Sequence, residues 1–178
     1  MLKGEEDGPV DTNVLVATYS PRDPLYQSAR SFLSEQQPRK IVSALSFAEL
    51  TAVLARVRPE LQLPEPVQKE PFKRRIRAAV EYIFKDAGLT LASQVGTSIV
   101  HVGERTVPIP MEYSRAASEA HKLRLKALDL LHLAYASLIS RLEFKLDLFV
   151  TGDQDILDTT SQIEEALGLR TMHPKNLA

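Results

Sequence analysis

Four carboxylates stand where a fold could gather them: Asp11 in VDTNVLVA, Glu49 in SALSFAEL, Asp129 in ALDLLHLAYASLIS and Asp153 in LFVTGDQDIL. Asp129 makes the strongest demand. Its segment, rich in Leu and Ala, reads as a helix buried on most faces, with His132 three residues on. A carboxylate there loses its hydration, which is costly unless it is paired, hydrogen-bonded or bound to a metal. Four converging acids without a counter-charge would also repel one another and raise their pKa values. A hard divalent cation with oxygen ligands removes that penalty. Mg²⁺ or Mn²⁺ suits a chain with no Cys and no clear His pair. Such a cation commonly binds phosphate oxygens and lowers the pKa of water, so the natural chemistry is phosphoester hydrolysis.

Each acid alone has a local explanation. Ser46-Phe47-Ala48-Glu49 matches a capping box, in which Glu49 reaches back to the cap amide. Asp129 suits the positive end of its helix, or a pairing with His132 at i+3. Asp11 and Asn13, like Asp153 and Asp155, could be turn or cap residues. His132 reads as a core or supporting histidine, while His101, His121 and His173 carry no motif. Only the four acids together point to a site.

The elements that must position them are legible. Val10–Ala17 reads as a strand end turning into a short helix. Leu25–Glu35 has helical spacing, Ile41–Val42 suits a short buried strand, and a helix follows from about Phe47 to Arg58 with Ala48, Val53, Leu54 and Val57 inward. Pro59, Pro64, Pro66 and Pro71 break any continuous helix there. Phe72–Lys85 is amphipathic, with Lys73, Arg74, Arg75 and Arg77 on a solvated face. Ile99–Ile109 reads as two short strands or an extended loop around Gly103. Met111–Lys122 and Ala127–Arg141 are helical, with a break near 124–126. Leu146–Thr151 is a strand, a helical stretch runs on to Leu167, and Leu169–Met172 is a last strand. Alternating strands and helices predict an α/β fold with a mostly parallel sheet covered on both faces. Its ligand site should lie beyond the carboxyl ends of the strands, near a topological switch point.

At 178 residues, 44% hydrophobic and 25% charged, the chain suits a single domain of ordinary globular composition. No apolar run nears the roughly 18–20 residues that cross a bilayer. MLKGEEDGPV lacks the basic start and apolar stretch of a secretory signal. Cytoplasm is the expected location. Absence of Cys excludes disulfides, thiolate metal sites and a Cys nucleophile. A net charge of −1 leaves nucleic-acid binding to local patches such as Lys122, Arg124 and Lys126, just upstream of Asp129.

VDTNVLV, Glu49 of SALSFAEL, LKALDLLHLAYA and LFVTGDQDIL occur in an order and setting that resemble the PIN-domain nucleases, which include the VapC-type toxins. The combination is specific, and the resemblance spans Val10 to Pro174. It implies a three-layer α/β/α sandwich in one domain, with Asp11, Glu49, Asp129 and Asp153 as the catalytic, metal-binding acids. By the same resemblance Asn13 and Thr151 orient those ligands and Asp155 is an auxiliary acid. The implied activity is Mg²⁺- or Mn²⁺-dependent cleavage of RNA by activated water, leaving a 5′-phosphate and a 3′-hydroxyl. The implied partners are a second copy of the chain and, for a toxin, a small antitoxin.

Two features depart from the family pattern. GEEDGPV precedes Asp11 where an apolar strand is usual, and Pro9 lacks an amide donor; either the strand is short and begins near Val10, or the native start is altered. Some 80 residues separate Glu49 from Asp129, so the stretch from about 59 to 110 reads as an insertion. Two rival readings fit part of the pattern. A haloacid-dehalogenase-like phosphatase would use Asp11 as nucleophile with Asp153 and Asp158, but Asn13 stands where its general acid belongs. A PIN-like scaffold would bind RNA or protein without cutting, yet has no use for four desolvated acids.

Overall fold

In the computed structural model, which describes residues 8–35, 39–56, 61–92, 95–141 and 147–177, five short strands build the central layer. β1 (Gly8–Pro9), β2 (Lys40–Val42) and β3 (Leu89–Leu91) pair in parallel in that order. β6 (Leu148–Val150) and β7 (Arg170–Met172) form a second parallel pair. A parallel bridge between Val10 and Val150 joins the two ladders, giving the order β3-β2-β1-β6-β7. The order reverses between β1 and β6, so the switch point lies where Asp11 and Thr151 leave the sheet.

The unusual approach to Asp11 has a local explanation. The Gly8 and Val10 amides donate to Arg39 and Ile41 on the β2 side, at 3.2 and 2.9 Å, so the missing Pro9 donor falls on the β6 side. Hydrogen bonding to β6 resumes two residues later, where the Asp11 amide donates to Val150 O at 2.9 Å. A Cβ on Gly8 would sit 2.7 Å from Leu148 O, so only glycine allows β1 to run this close to β6.

Alternation along β6 sorts the two helical layers. Leu148 and Val150 pack with Val14, Phe32, Leu50, Leu54 and Ile83, from α1 (Thr12–Ala17), α2 (Tyr26–Ser34), α3 (Ala44–Arg56) and α5 (Phe72–Asp86). Phe149 packs on the other side with Leu130, Leu133, Ile163 and Leu167. These belong to α7 (Ala127–Ile139) and α9 (Thr160–Leu167), joined in that layer by α6 (Met111–Leu123). The result is the expected α/β/α sandwich, each large buried side chain contributing about 1.5–3 kcal/mol.

Several boundaries differ from expectation. α3 begins at Ala44, because Ser43 Oγ accepts the Ser46 amide at 2.9 Å and caps the helix three residues earlier. Its buried face is Ser46, Leu50 and Leu54, with Ala48 exposed, while Val57 and Arg58 lie outside the described residues. β3 carries no clear alternation, and sequence reading passes over it. Within the 59–110 stretch, α5 and β3 join the central layers. A short helix, α4 (Glu65–Lys69), precedes α5. β4 (Thr97–Val102) and β5 (Arg105–Pro110) form a separate antiparallel hairpin. The stretch after β6 is two helices, α8 (Gln154–Asp158) and α9, interrupted at Thr159. Leu146, the expected first residue of β6, lies outside the described residues.

Candidate active site

A cleft of about 320 Å³ opens at the carboxyl end of β1 and β6, and Asp11, Glu49, Asp129 and Asp153 all line it. Asp11 follows β1 at the N-cap position of α1, its side chain turned to other partners; it is 8% exposed. Its Oδ2 accepts from Thr151 Oγ1 at 2.6 Å and from Asn13 Nδ2 at 3.0 Å. Asn13 Oδ1 in turn accepts the Gly152 amide at 3.1 Å, and Thr151 Oγ1 the Asp153 amide at 3.0 Å. The DTN and TGD segments are thereby locked together.

Gly152 lies against the side chain of Leu25. A Cβ there would run into Leu25 Cδ1, and Leu25 lines the cleft beside Asp23. Asp153 caps α8, its Oδ1 accepting the Asp155 amide at 2.8 Å. Asp155 itself points to solvent and pairs with Lys126 at 3.0 Å, outside the cleft lining.

Glu49 sits in the second turn of α3, so the Ser46–Glu49 capping box does not form. Its Oε2 instead meets His132 Nε2 of α7 at 3.1 Å. Donor atoms of Asp11, Glu49 and His132 all lie within 4.8 Å of one another. Asp129 holds the first turn of α7, and its Oδ2 is buried without a hydrogen-bond partner among the described residues.

The electrostatics follow from these placements. Burial pushes the Asp11 carboxyl above the ordinary range, against the lowering effect of Thr151. Asp129 is raised by burial and by the charge of Asp153, with Lys126 opposing. Glu49 is lowered, chiefly by the hydrogen bond from His132. Two carboxyls that resist ionisation beside one that is ionised make a cleft that lacks positive charge.

The model of the PIN domain family matches residues 10–161. The chain belongs to the PIN domain family. No curated protein matches it. PIN domains are generally metal-dependent nucleases that act on RNA, and the residues of this PIN domain fit a divalent cation. Asp129 lines the cleft and keeps a buried Oδ2 acceptor without a partner among the described residues, and three further carboxylates, the donors that hard cations take, line the same cleft. None of the described helices is long and apolar enough to cross a membrane.

One cleft residue, Asp23, escaped sequence reading, and another, His132, was read without its partner. His132 was legible as a buried histidine, but its contact with Glu49 depends on α3 crossing the end of α7. Asp23 lines the cleft from the turn before α2, where its Oδ1 accepts the Leu25 amide at 2.8 Å. Nothing in PRDPL marks it. Of the basic residues, Lys122 pairs at 3.2 Å with Glu119, which is 7% exposed. Arg124 takes a left-handed conformation (φ 53°) that ends α6, and Lys126 stands nearest the acids.

Proposed function

We propose that this PIN domain is a divalent-metal-dependent endoribonuclease. One observation carries the reading: four carboxylates from β1, α3, α7 and the β6–α8 turn line one cleft, where a buried Asp129 oxygen has no protein partner among the described residues. Asp11, Glu49, Asp129 and Asp153 would hold Mg²⁺ or Mn²⁺. When bound, the cation supplies the Lewis acidity that acidifies water and offsets charge building on the scissile phosphate.

The chain's own residues do the positioning. Thr151 and Asn13 fix one oxygen of Asp11 at the cleft. The α8 amide of Asp155 fixes one oxygen of Asp153 in the same way. Lys126, paired with exposed Asp155, guides the phosphate backbone to the rim; Lys122 and Arg124 extend that track. Attack of water on phosphorus expels the 3′-oxygen and leaves a 5′-phosphate.

The whole chain acts as one domain in this reading, with the β4–β5 hairpin as the inserted part of 59–110. It works in the cytoplasm as a homodimer, and a small antitoxin restrains it if it is a toxin. The phosphatase alternative loses support because exposed Asp158 is bonded to Gln154 at 2.6 Å and does not line the cleft.

The test compares wild type with folded Asp129→Asn on single-stranded and structured RNA, with Mg²⁺, Mn²⁺ or EDTA. Cleavage that needs metal and vanishes in the variant supports the proposal. RNA that is bound but never cut would replace it with the scaffold reading.

A further inference from the structure

The cleft does not end at the four acids. Val16 stands one turn beyond Thr12 on α1, and Val53 one turn beyond Glu49 on α3; all four residues line it. A turn advances about 6 Å along each helix. Leu25, whose side chain meets Gly152, and Asp23 complete this part of the lining. Asp23 is half-buried, and its Oδ1 accepts the Leu25 amide at 2.8 Å. Its Oδ2 has no partner among the described residues. The charges that bear most on Asp11, Glu49 and Asp129 are those of one another and of Asp153, His132, Lys126 and Arg56, not that of Asp23. One carboxylate thus stands apart from the acid centre, among aliphatic side chains.

We infer that this chamber is a nucleobase subsite that favours guanine in single-stranded RNA. The inference rests on the ribonuclease reading above and names the RNA that the site takes. Ligand pockets are mostly apolar, with a few polar groups that set orientation. Three aliphatic side chains around one carboxylate have that make-up. The whole cleft, about 320 Å³, lies at the small end of the roughly 300–1,000 Å³ range of such pockets, a scale that suits one unstacked nucleotide rather than a duplex. Unstacked RNA bases are read through their hydrogen-bonding edges. A base lodged one turn from the acids stays joined to a phosphate at the acids.

Asp23 decides which base. An ionised carboxylate only accepts hydrogen bonds. Guanine presents two adjacent donors, N1–H and the N2 amino group. Adenine and cytosine present one amino group beside a bare ring nitrogen. Uracil presents a single N3–H flanked by two carbonyl oxygens, which a carboxylate repels. The order of affinity is therefore guanine, then adenine and cytosine, then uracil. Asp23→Asn reverses the chemistry and spares the turn. The Leu25 amide holds the oxygen of the new side chain, which leaves its NH₂ where Oδ2 stood. A donor there opposes guanine and suits the carbonyls of uracil.

The test uses four short RNAs, each with one base among abasic positions, titrated calorimetrically into Asp129→Asn protein, which should bind without cutting. Guanine should bind about 5–150-fold more tightly than uracil, the range for one base-edge pair. Adding Asp23→Asn should place uracil above guanine. Val53→Phe, which fills the chamber, should erase the discrimination. Thermal melts check that each variant folds. Mn²⁺ titrations of the single variants Asp23→Asn and Val53→Phe should stay within a few-fold of wild type.

The failures are distinguishable. A folded wild type that binds neither Mn²⁺ nor RNA overturns the ribonuclease reading and this inference with it. Equal affinity for the four bases, an order that Asp23→Asn leaves unchanged, or an Asp23→Asn variant that loses Mn²⁺ overturns the inference alone.

Discussion

Thr151 Oγ1 donates to Asp11 Oδ2 at 2.6 Å, a bond between residues 140 apart in the chain that closes the β1 and β6 ends over the cleft. Thr151 is fully buried and also accepts the Asp153 amide, so one hydroxyl aligns two of the four acids. The cleft is built on such supports, and they can be removed singly.

Thr151→Val keeps the shape but leaves Asp11 Oδ2 and the Asp153 amide each short of a partner. Unsatisfied buried groups of this kind cost about 1–3 kcal/mol. Urea unfolding should show that loss, and Mn²⁺ affinity should fall about 10–100-fold. An unchanged midpoint with unchanged affinity would mean the hydroxyl aligns nothing.

Asp129→Asn should stabilise the protein in EDTA while abolishing cleavage. Burial and the charge of Asp153 raise the Asp129 carboxyl above the ordinary carboxylate range in the folded state. A raised carboxyl contributes its stability below the unfolded pKa and loses it as pH rises through the folded value. The variant's gain in Tm over wild type should therefore be present near neutral pH and fade toward about pH 4. Cleavage should drop at least about a hundredfold, since losing a ligand forfeits several kcal/mol of charge stabilisation. A variant less stable than wild type in EDTA at pH 7 contradicts the prediction.

Gly152→Ala tests the contact with Leu25. The new methyl meets the end of a flexible side chain rather than backbone, so overpacking should cost about 1–3 kcal/mol. Leu25→Ala added to it should recover part of that loss, and a double-mutant cycle from denaturant midpoints measures the coupling. Strict additivity would rule the contact out.

Lys126→Ala should weaken RNA binding uniformly across sequences and flatten its salt dependence by about one in log–log slope. Lys122→Ala should do less, because buried Glu119 already holds Lys122. Titrations of an uncleaved RNA with the Asp129→Asn background, over a salt series, give both slopes. Equal slopes for all three proteins would remove Lys126 from the RNA track.

The sequence by itself determined the fold class and singled out the four acids that line the cleft. Periodicity is local, so the helices around Asp129 and the strand before Asp153 could be read from the spacing of apolar residues. A carboxylate in a Leu- and Ala-rich helix demands a partner whatever the fold, which is why Asp129 stood out. Other features depended on contacts between distant segments. β3 is three residues long and needs β2 beside it to be a strand at all. The start of α3 at Ala44 turns on whether Ser43 or Ser46 caps it, two equivalent residue types until packing chooses. That choice frees Glu49 from the helix terminus and leaves it for His132, across the gap between the two helical layers. Asp23 and Leu25 line the cleft from the turn before α2, where Leu25 meets Gly152 from the other end of the chain. Tertiary structure decided these, since a side chain's partner is set by which elements cross at the end of the sheet, and no local pattern encodes that crossing.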